Sequence, residues 1–115
     1  SDLFAMDDED VISALRLINE HASEPINVDW VLRQLPVARR TLQRKFKTMV
    51  GRTLLEQIRH VRFEKAKELL IETDLTLDWV ARQSGFSNVR WLADCFREEL
   101  KVTPGRYRRQ FRTQS

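Results

Sequence analysis

Arg40, Gln43, Arg44 and Lys47 follow one another at spacings of three, one and three. On a helix, at about 100° per residue, all four fall within one arc of about 100°. Leu42, Phe46 and Met49 gather on the opposite side. The chemistry of the polar arc is paired hydrogen-bond donation. An arginine can donate two bonds to O6 and N7 of guanine, and a glutamine amide can pair with N6 and N7 of adenine. A neighbouring lysine supplies charge for a phosphate without reading sequence. A second stretch offers a related pattern, with Arg90, Asp94 and Arg97 on one arc and Leu92, Cys95 and Phe96 opposite.

Other chemistries are poorly served. His21, His60 and Cys95 are isolated and do not assemble a zinc site. No paired acid and base, nucleophile motif, phosphate loop or metal cluster is visible, so neither an enzyme nor a cofactor is expected. Cys95 shares the Leu92 and Phe96 side and reads as a buried thiol. A single cysteine excludes an intramolecular disulfide and fits a reducing, cytoplasmic compartment. No apolar run approaches the ~18 residues a membrane span requires, and no signal peptide is recognisable. The chain starts at Ser1 and its first methionine is Met6, so it reads as a piece of something longer.

Charge is unevenly distributed. Residues 1–27 carry seven acidic residues against one basic, Arg16, whereas residues 28–115 carry nineteen basic against ten acidic. Two clusters contain no acid: Arg39, Arg40, Arg44, Lys45 and Lys47, then Arg106, Arg108, Arg109 and Arg112. Such concentration in a small domain points to a polyanionic partner.

The elements that must position these residues are helical. Only three glycines and three prolines interrupt 115 residues, and no stretch alternates as a strand. Asp7, Asp8, Glu9 and Asp10 precede Val11, Leu15, Ile18 and Ala22, which form a helical stripe ended by Pro25. A short helix over 28–34 with Asn27 as cap leads through Leu35, Pro36 and Val37 into a helix over 39–50, stopped at Gly51. A helix over 54–72 follows, with Ile58, Val61, Ala66, Leu69 and Leu70 as core candidates. Thr76 caps a helix over 77–84, Gly85 turns the chain, and 88–100 is helical again. Thr103 and Pro104 open a last helix through Tyr107 and Phe111. The prediction is an all-α fold of about seven helices.

The chain repeats itself. Asp-Trp-Val-Leu-Arg-Gln at 29–34 returns as Asp-Trp-Val-Ala-Arg-Gln at 78–83. Leu42, Phe46, Lys47 and Thr53 match Leu92, Phe96, Arg97 and Thr103 at an offset of 50 rather than 49. A duplicated unit of short helix, tight turn and longer helix is the helix-turn-helix plan. A plain bundle of two similar hairpins is the competing reading, but it leaves both polar arcs unexplained. Trp30, Trp79 and Trp91 sit at equivalent or nearly equivalent places and read as paired core positions rather than base-stacking ones.

With these residues in view, the chain resembles the DNA-binding domain of AraC/XylS-type bacterial transcription regulators over about residues 27–111. The motifs are Gly85-Phe86, Phe96-Arg97, Thr103-Pro104 and Tyr107-Arg108, with Arg62-Phe63-Glu64-Lys65-Ala66 and Leu69-Leu70 similar to the family's linker helix. The segment Asp7-Asp8-Glu9-Asp10-Val11, with Ala14-Leu15, Ile18 and Glu20-His21-Ala22, looks like the lead-in helix of the xylose-operon regulator subgroup. The resemblance implies a lead-in segment at 1–26, a first helix-turn-helix at 27–53, a linker helix at 54–72, and a second helix-turn-helix with C-terminal helix at 73–115. It further implies an N-terminal sugar-sensing domain absent from this chain, and RNA polymerase as a candidate partner of a promoter-bound activator.

Carried over by position, base reading falls on Arg40, Gln43 and Arg44 in the first unit and on Arg90 and Asp94 in the second. Arg39, Lys45, Lys47, Arg59, Arg62 and Arg97 are candidate phosphate contacts; solvated helix charge explains Arg59 and Arg62 equally well. Asp94 stands where the family often has arginine, and it could accept from cytosine N4 or pair with Arg90. Pro36, Ala38, Leu54 and Lys101 also depart from the family's usual glycine, serine, proline and glycine, which implies altered turns within one fold. Two recognition helices in successive major-groove segments lie about 34 Å apart. A nineteen-residue helix spans only about 28 Å, so the pattern predicts a bent duplex or incomplete insertion of the second unit. A helical protein-interaction adaptor and a non-specific architectural DNA binder are the alternatives, separated by whether binding to duplex depends on base sequence.

Overall fold

The computed structural model describes residues 8–112. The expected contribution of Asp7 therefore lies outside the described residues. Among these residues the chain forms seven helices and no strand: α1 (Glu9–His21), α2 (Val28–Arg33), α3 (Arg39–Val50), α4 (Leu54–Glu72), α5 (Leu77–Ser84), α6 (Val89–Leu100) and α7 (Pro104–Arg112). The sequence pattern anticipates the bounds of α2 to α7 to within a residue. The largest departure is the end of α1, which closes at His21 through the Ala22 N–H donating to the Ile18 carbonyl, before Pro25 is reached.

Local chemistry accounts for most of these boundaries. Asn27, Thr76 and Asn88 accept hydrogen bonds from the N–H groups of Trp30, Trp79 and Trp91. Thr103 does the same for Arg106. At the start of α4, Thr53 and Glu56 bond each other's backbone N–H groups, a reciprocal capping box. Those bonds hold the Glu56 carboxyl below the usual carboxylate range. Only α3 begins without a side-chain cap, because Ala38 has no acceptor to offer. At the other end Gly51 and Gly85 take left-handed backbone at φ 87° and 101° to close α3 and α5. Lys101 closes α6 in the same way at φ 61°, a position that glycine normally fills at less cost.

The described helices fall into two compact units. One comprises Ser1–Ala22 with Ile26–Val61, the other Ser23–Pro25 with Arg62–Ser115. The first is built on Val11, Ala14 and Ile18 of α1, Val31 and Leu32 of α2, Leu42 and Phe46 of α3, and Leu54 and Ile58 of α4. The second is built on Phe63, Ala66, Leu69 and Leu70 of α4, Val80 and Ala81 of α5, Leu92 and Phe96 of α6, and Tyr107 of α7. Because α4 contributes to both cores, a single-stripe reading of it goes astray. Leu54 and Phe63 are buried although the pattern omits them, and Val61 is only partly buried.

In the second unit Phe96 presents its ring between Phe63 and Tyr107, at centroid distances of 4.9 and 5.4 Å. Ser84, fully buried, donates its hydroxyl to the Val80 carbonyl, so no polar group is stranded there. The arginine-rich end of the chain is partly structural. Arg108 donates to the carbonyls of Leu70 and Thr73, and Arg112 donates to Thr73 and pairs with Asp74. These side chains satisfy carbonyls around the C-terminus of α4, where cationic groups also favour the helix dipole.

Candidate nucleic-acid interface

The first unit presents α3 from a short helix and a tight turn. Leu42 and Phe46 are fully buried on one side of α3, and Met49 is half-buried with them. That burial leaves Arg40, Gln43, Arg44 and Lys47 exposed together. Of these, Lys47 reaches back to the Gly51 carbonyl at 3.3 Å and lies 3.7 Å from Glu56. Both contacts are exposed, so an incoming polyanion competes with them at little cost.

The two lysine and arginine neighbours expected off the stripe are engaged by protein. Arg39 pairs with Asp29 of α2 across the turn, which holds the Asp29 carboxyl below its ordinary range. Lys45 points to the start of α1, where its ammonium lies 2.8 Å from one Asp8 oxygen and 3.7 Å from Asp10. The hydrogen bond between them lowers the Asp8 pKa and raises that of Lys45. Lys45 is therefore not brought into the exposed set. The same is true of Arg62, which is half-buried and donates to the Glu24 carbonyl. Burial pushes the pKa of its guanidinium down. Arg59 is exposed on α4.

In the second unit α6 buries Leu92 and Phe96 and exposes Arg90 and Arg97, with Asp94 between them half-buried. The ion pair on this face joins Asp94 to Arg97 at 3.7 Å, not to Arg90 as an i, i+4 pairing would require. Cys95 is half-buried against the core.

The tryptophans correct the sequence reading. Trp30 packs partly against the first core and lies 5.0 Å from the His21 ring. Trp79 and Trp91 are 51% and 55% exposed and are not core residues. Trp79 has the Arg82 guanidinium over its ring at 5.5 Å. The phase of α6 carried a signal for Trp91, which falls about 100° from Arg90 and so on the flank of the polar arc. Sequence reasoning also assigned Asp8 only to the acidic helix start and missed its bond to Lys45. A contact between residues 37 positions apart leaves no periodic trace.

A helix-turn-helix domain family matches residues 31–110. The xylose operon regulatory protein of Escherichia coli (strain K12) is 32% identical over 108 residues, covering 94% of this chain. The chain spans only 28% of that relative's length. Among solved structures, the C-terminal domain of AraT, a response regulator from Geobacillus stearothermophilus, matches with a TM-score of 0.85 at 28% identity. That match covers 90% of this chain and 86% of the other. The DNA-binding domain of the global transcriptional factor AdpA, solved in complex with a target DNA, matches with a TM-score of 0.83 at 28% identity, covering 99% of this chain and 96% of the other.

Two helix-turn-helix units on an all-helical frame, each with one buried and one polar face on its longer helix, define the class of helix-turn-helix DNA-binding domains. The chain belongs to the AraC/XylS-type family of helix-turn-helix DNA-binding domains.

Proposed function

We propose that this domain reads duplex DNA through base contacts by Arg40, Gln43 and Arg44 on α3, and by Arg90 and Asp94 on α6. The observation that carries this reading is the exposed Arg40, Gln43, Arg44 and Lys47 stripe opposite fully buried Leu42 and Phe46. Such a helix offers a major groove two guanidinium groups and an amide while its other side is locked in the core. Arg39, Lys47, Arg59 and Arg97 are the phosphate contacts in this reading. Lys45 and Arg62 are left out because sheltered protein contacts hold them, whereas the Arg39–Asp29 pair is exposed. The arrangement Asp94–Arg97 leaves Arg90 as the principal donor of α6.

The regulator that contains this domain activates a sugar-utilisation operon in the bacterial cytoplasm, with a separate sugar-sensing domain and RNA polymerase as its partners. The similarity to the xylose operon regulatory protein supports this.

Selection from a randomised duplex pool, followed by fluorescence anisotropy on the winning duplex and a scrambled control, tests the reading. Two enriched blocks about one helical turn apart are expected. One block would remove Arg90 and Asp94 from the base-reading set, and equal salt-sensitive binding to both duplexes would refute sequence reading. Arg40→Ala should weaken the selected duplex by about 1–3 kcal/mol and the scrambled one far less. An equal loss on both would withdraw its base-reading role.

A further inference from the structure

We propose that Asp8 is a positioning residue for the first recognition helix and that Lys45 is its anchor rather than a DNA contact. This rests on the reading of α3 given above. One carboxylate does two jobs. Its first oxygen accepts from the Asp10 and Val11 N–H groups at 3.0 and 3.1 Å, fixing the first turn of α1. Its second oxygen holds the Lys45 ammonium at 2.8 Å, with Asp10 at 3.7 Å on the same group. Lys45 falls one residue after Arg44 and two before Lys47, so whatever fixes its side chain constrains the rotation of the base-reading stripe.

The contact is more sheltered than the other ion pairs on this helix. The side chains of Lys45 and Asp8 are 29% and 14% exposed, against 58% and 55% for Arg39 and Asp29. A partly shielded, hydrogen-bonded pair with a second acid beside it resists solvent screening better than an exposed one. The helices it joins are also packed together, through Val11, Ala14 and Ile18 of α1 and Leu42 and Phe46 of α3 in one core. The pair thus adds a polar register to an apolar interface that could otherwise slide. Without a side-chain cap at Ala38, the polar tie at the start of α3 is the exposed Arg39–Asp29 pair, which solvent screens more. A base-reading helix that turns by even a fraction of a residue loses bidentate geometry, while its phosphate attraction survives. The signature of lost positioning is therefore lost discrimination, not lost binding.

Two variants with opposite effects on net charge test this. Asp8→Asn keeps a good helix cap and removes the ion pair. Lys45→Met keeps the aliphatic stem and removes the same pair. Affinities are measured on the duplex selected from the random pool and on its scrambled control, across a salt series, with circular dichroism to confirm the helical fold. The expected result is that both variants lower the selected-to-scrambled affinity ratio by about fivefold, the low end of coupling between distinct sites. The double variant should lower it no further. A shared fall cannot arise from net charge, because Asp8→Asn removes a negative charge and Lys45→Met removes a positive one.

Three results would overturn the proposal. Asp8→Asn could strengthen binding to both duplexes and steepen the salt slope by about one unit, making Lys45 a phosphate contact that Asp8 withholds. Lys45→Met could weaken both duplexes equally with a shallower slope, making Lys45 a direct phosphate contact. An unchanged ratio in both variants would make the pair a structural tie only. Should Asp8→Asn not fold, Lys45→Met alone decides the matter by the same ratio. If Arg40→Ala also leaves the ratio unchanged, base reading by α3 has failed and this proposal falls with it. If Arg40→Ala lowers the ratio while both pair variants do not, positioning alone has failed.

Discussion

The C-termini of α3 and α6 offer a matched pair of perturbations. Gly51 and Lys101 are 50 positions apart, the same offset that aligns the two longer helices, and both carry left-handed backbone, at φ 87° and 61°. One half of the repeat fills this position with the residue that tolerates it, and the other does not. Left-handed backbone costs a non-glycine residue about 1–2 kcal/mol. Glycine gives back about 0.4–1 kcal/mol through its greater freedom when unfolded. Lys101→Gly should therefore stabilise the folded state by about 0.5–1 kcal/mol, the difference of those two terms. The side chain gives up little, since the Lys101 ammonium reaches the Glu98 carbonyl only at 3.4 Å on an exposed surface. Gly51→Ala should cost a similar amount, and a Cβ at Gly51 meets nothing within 4 Å, so the loss is conformational rather than steric. With a urea slope of about 1–3 kcal/mol per M, each change moves the midpoint by about 0.5 M, in opposite directions. Urea titration followed by far-ultraviolet circular dichroism reads this directly. A Lys101→Gly midpoint equal to or below that of the parent, at unchanged slope, would refute the strain argument.

Three further outcomes follow from the packing and the charges. Phe96→Ala, which empties a fully buried site between Phe63 and Tyr107, should cost about 3–5 kcal/mol and is checked by the same titration. Arg108→Ala removes a donor to two carbonyls near the end of α4 and should cost about 1.5–3 kcal/mol while leaving the DNA sequence preference from pool selection unchanged. Because the Asp8 pKa is lowered by its bond from Lys45, that bond contributes stability above the ordinary carboxylate value of 3.8 and loses it as pH falls through the depressed folded value. Urea midpoints taken from about pH 5 downward should then fall less steeply for Asp8→Asn than for the parent, and parallel curves would show that the bond carries no acid sensitivity.

Helix positions were legible because their signals are local. Asn27, Thr76 and Thr103 announce helix starts through a side chain that bonds a backbone N–H three residues on, Asn88 does the same although the pattern places it inside its helix, and Gly51 and Gly85 announce ends through a backbone only glycine adopts cheaply. The α3 stripe was legible for a related reason, since burial of Leu42 and Phe46 dictates what the other face shows. What escaped were the effects that depend on a third element. Repetition of the Asp-Trp-Val motif argued for equivalent burial of Trp30 and Trp79, yet His21 of α1 lies against Trp30 while Trp79 remains half open. Lys45 and Arg62 counted as free cations in the sequence, and only the folded chain brings Asp8 and the Glu24 carbonyl to them. Arg108 and Arg112 looked like a basic tail until the end of α4 supplied their acceptors.

The two halves of the repeat share a plan but differ in what they offer DNA. On α3 the exposed arc holds three cations and an amide without an acid among them, and the acids that approach this helix bind Arg39, Lys45 and Lys47 from its margins. On α6 an acid sits inside the arc, and Asp94 lies close enough to Arg97 to offset its charge. Attraction to phosphate scales with uncompensated charge, and discrimination scales with well-oriented donors. Both quantities favour α3. In the proposed base-reading arrangement, α3 would dominate affinity and specificity, and the contribution of α6 would hang chiefly on Arg90. Replacing Asp94 with a neutral residue would release Arg97 toward phosphate and narrow that difference. The asymmetry thus resides in two arc positions, Gln43 against Ala93 and Arg44 against Asp94, within an otherwise common fold.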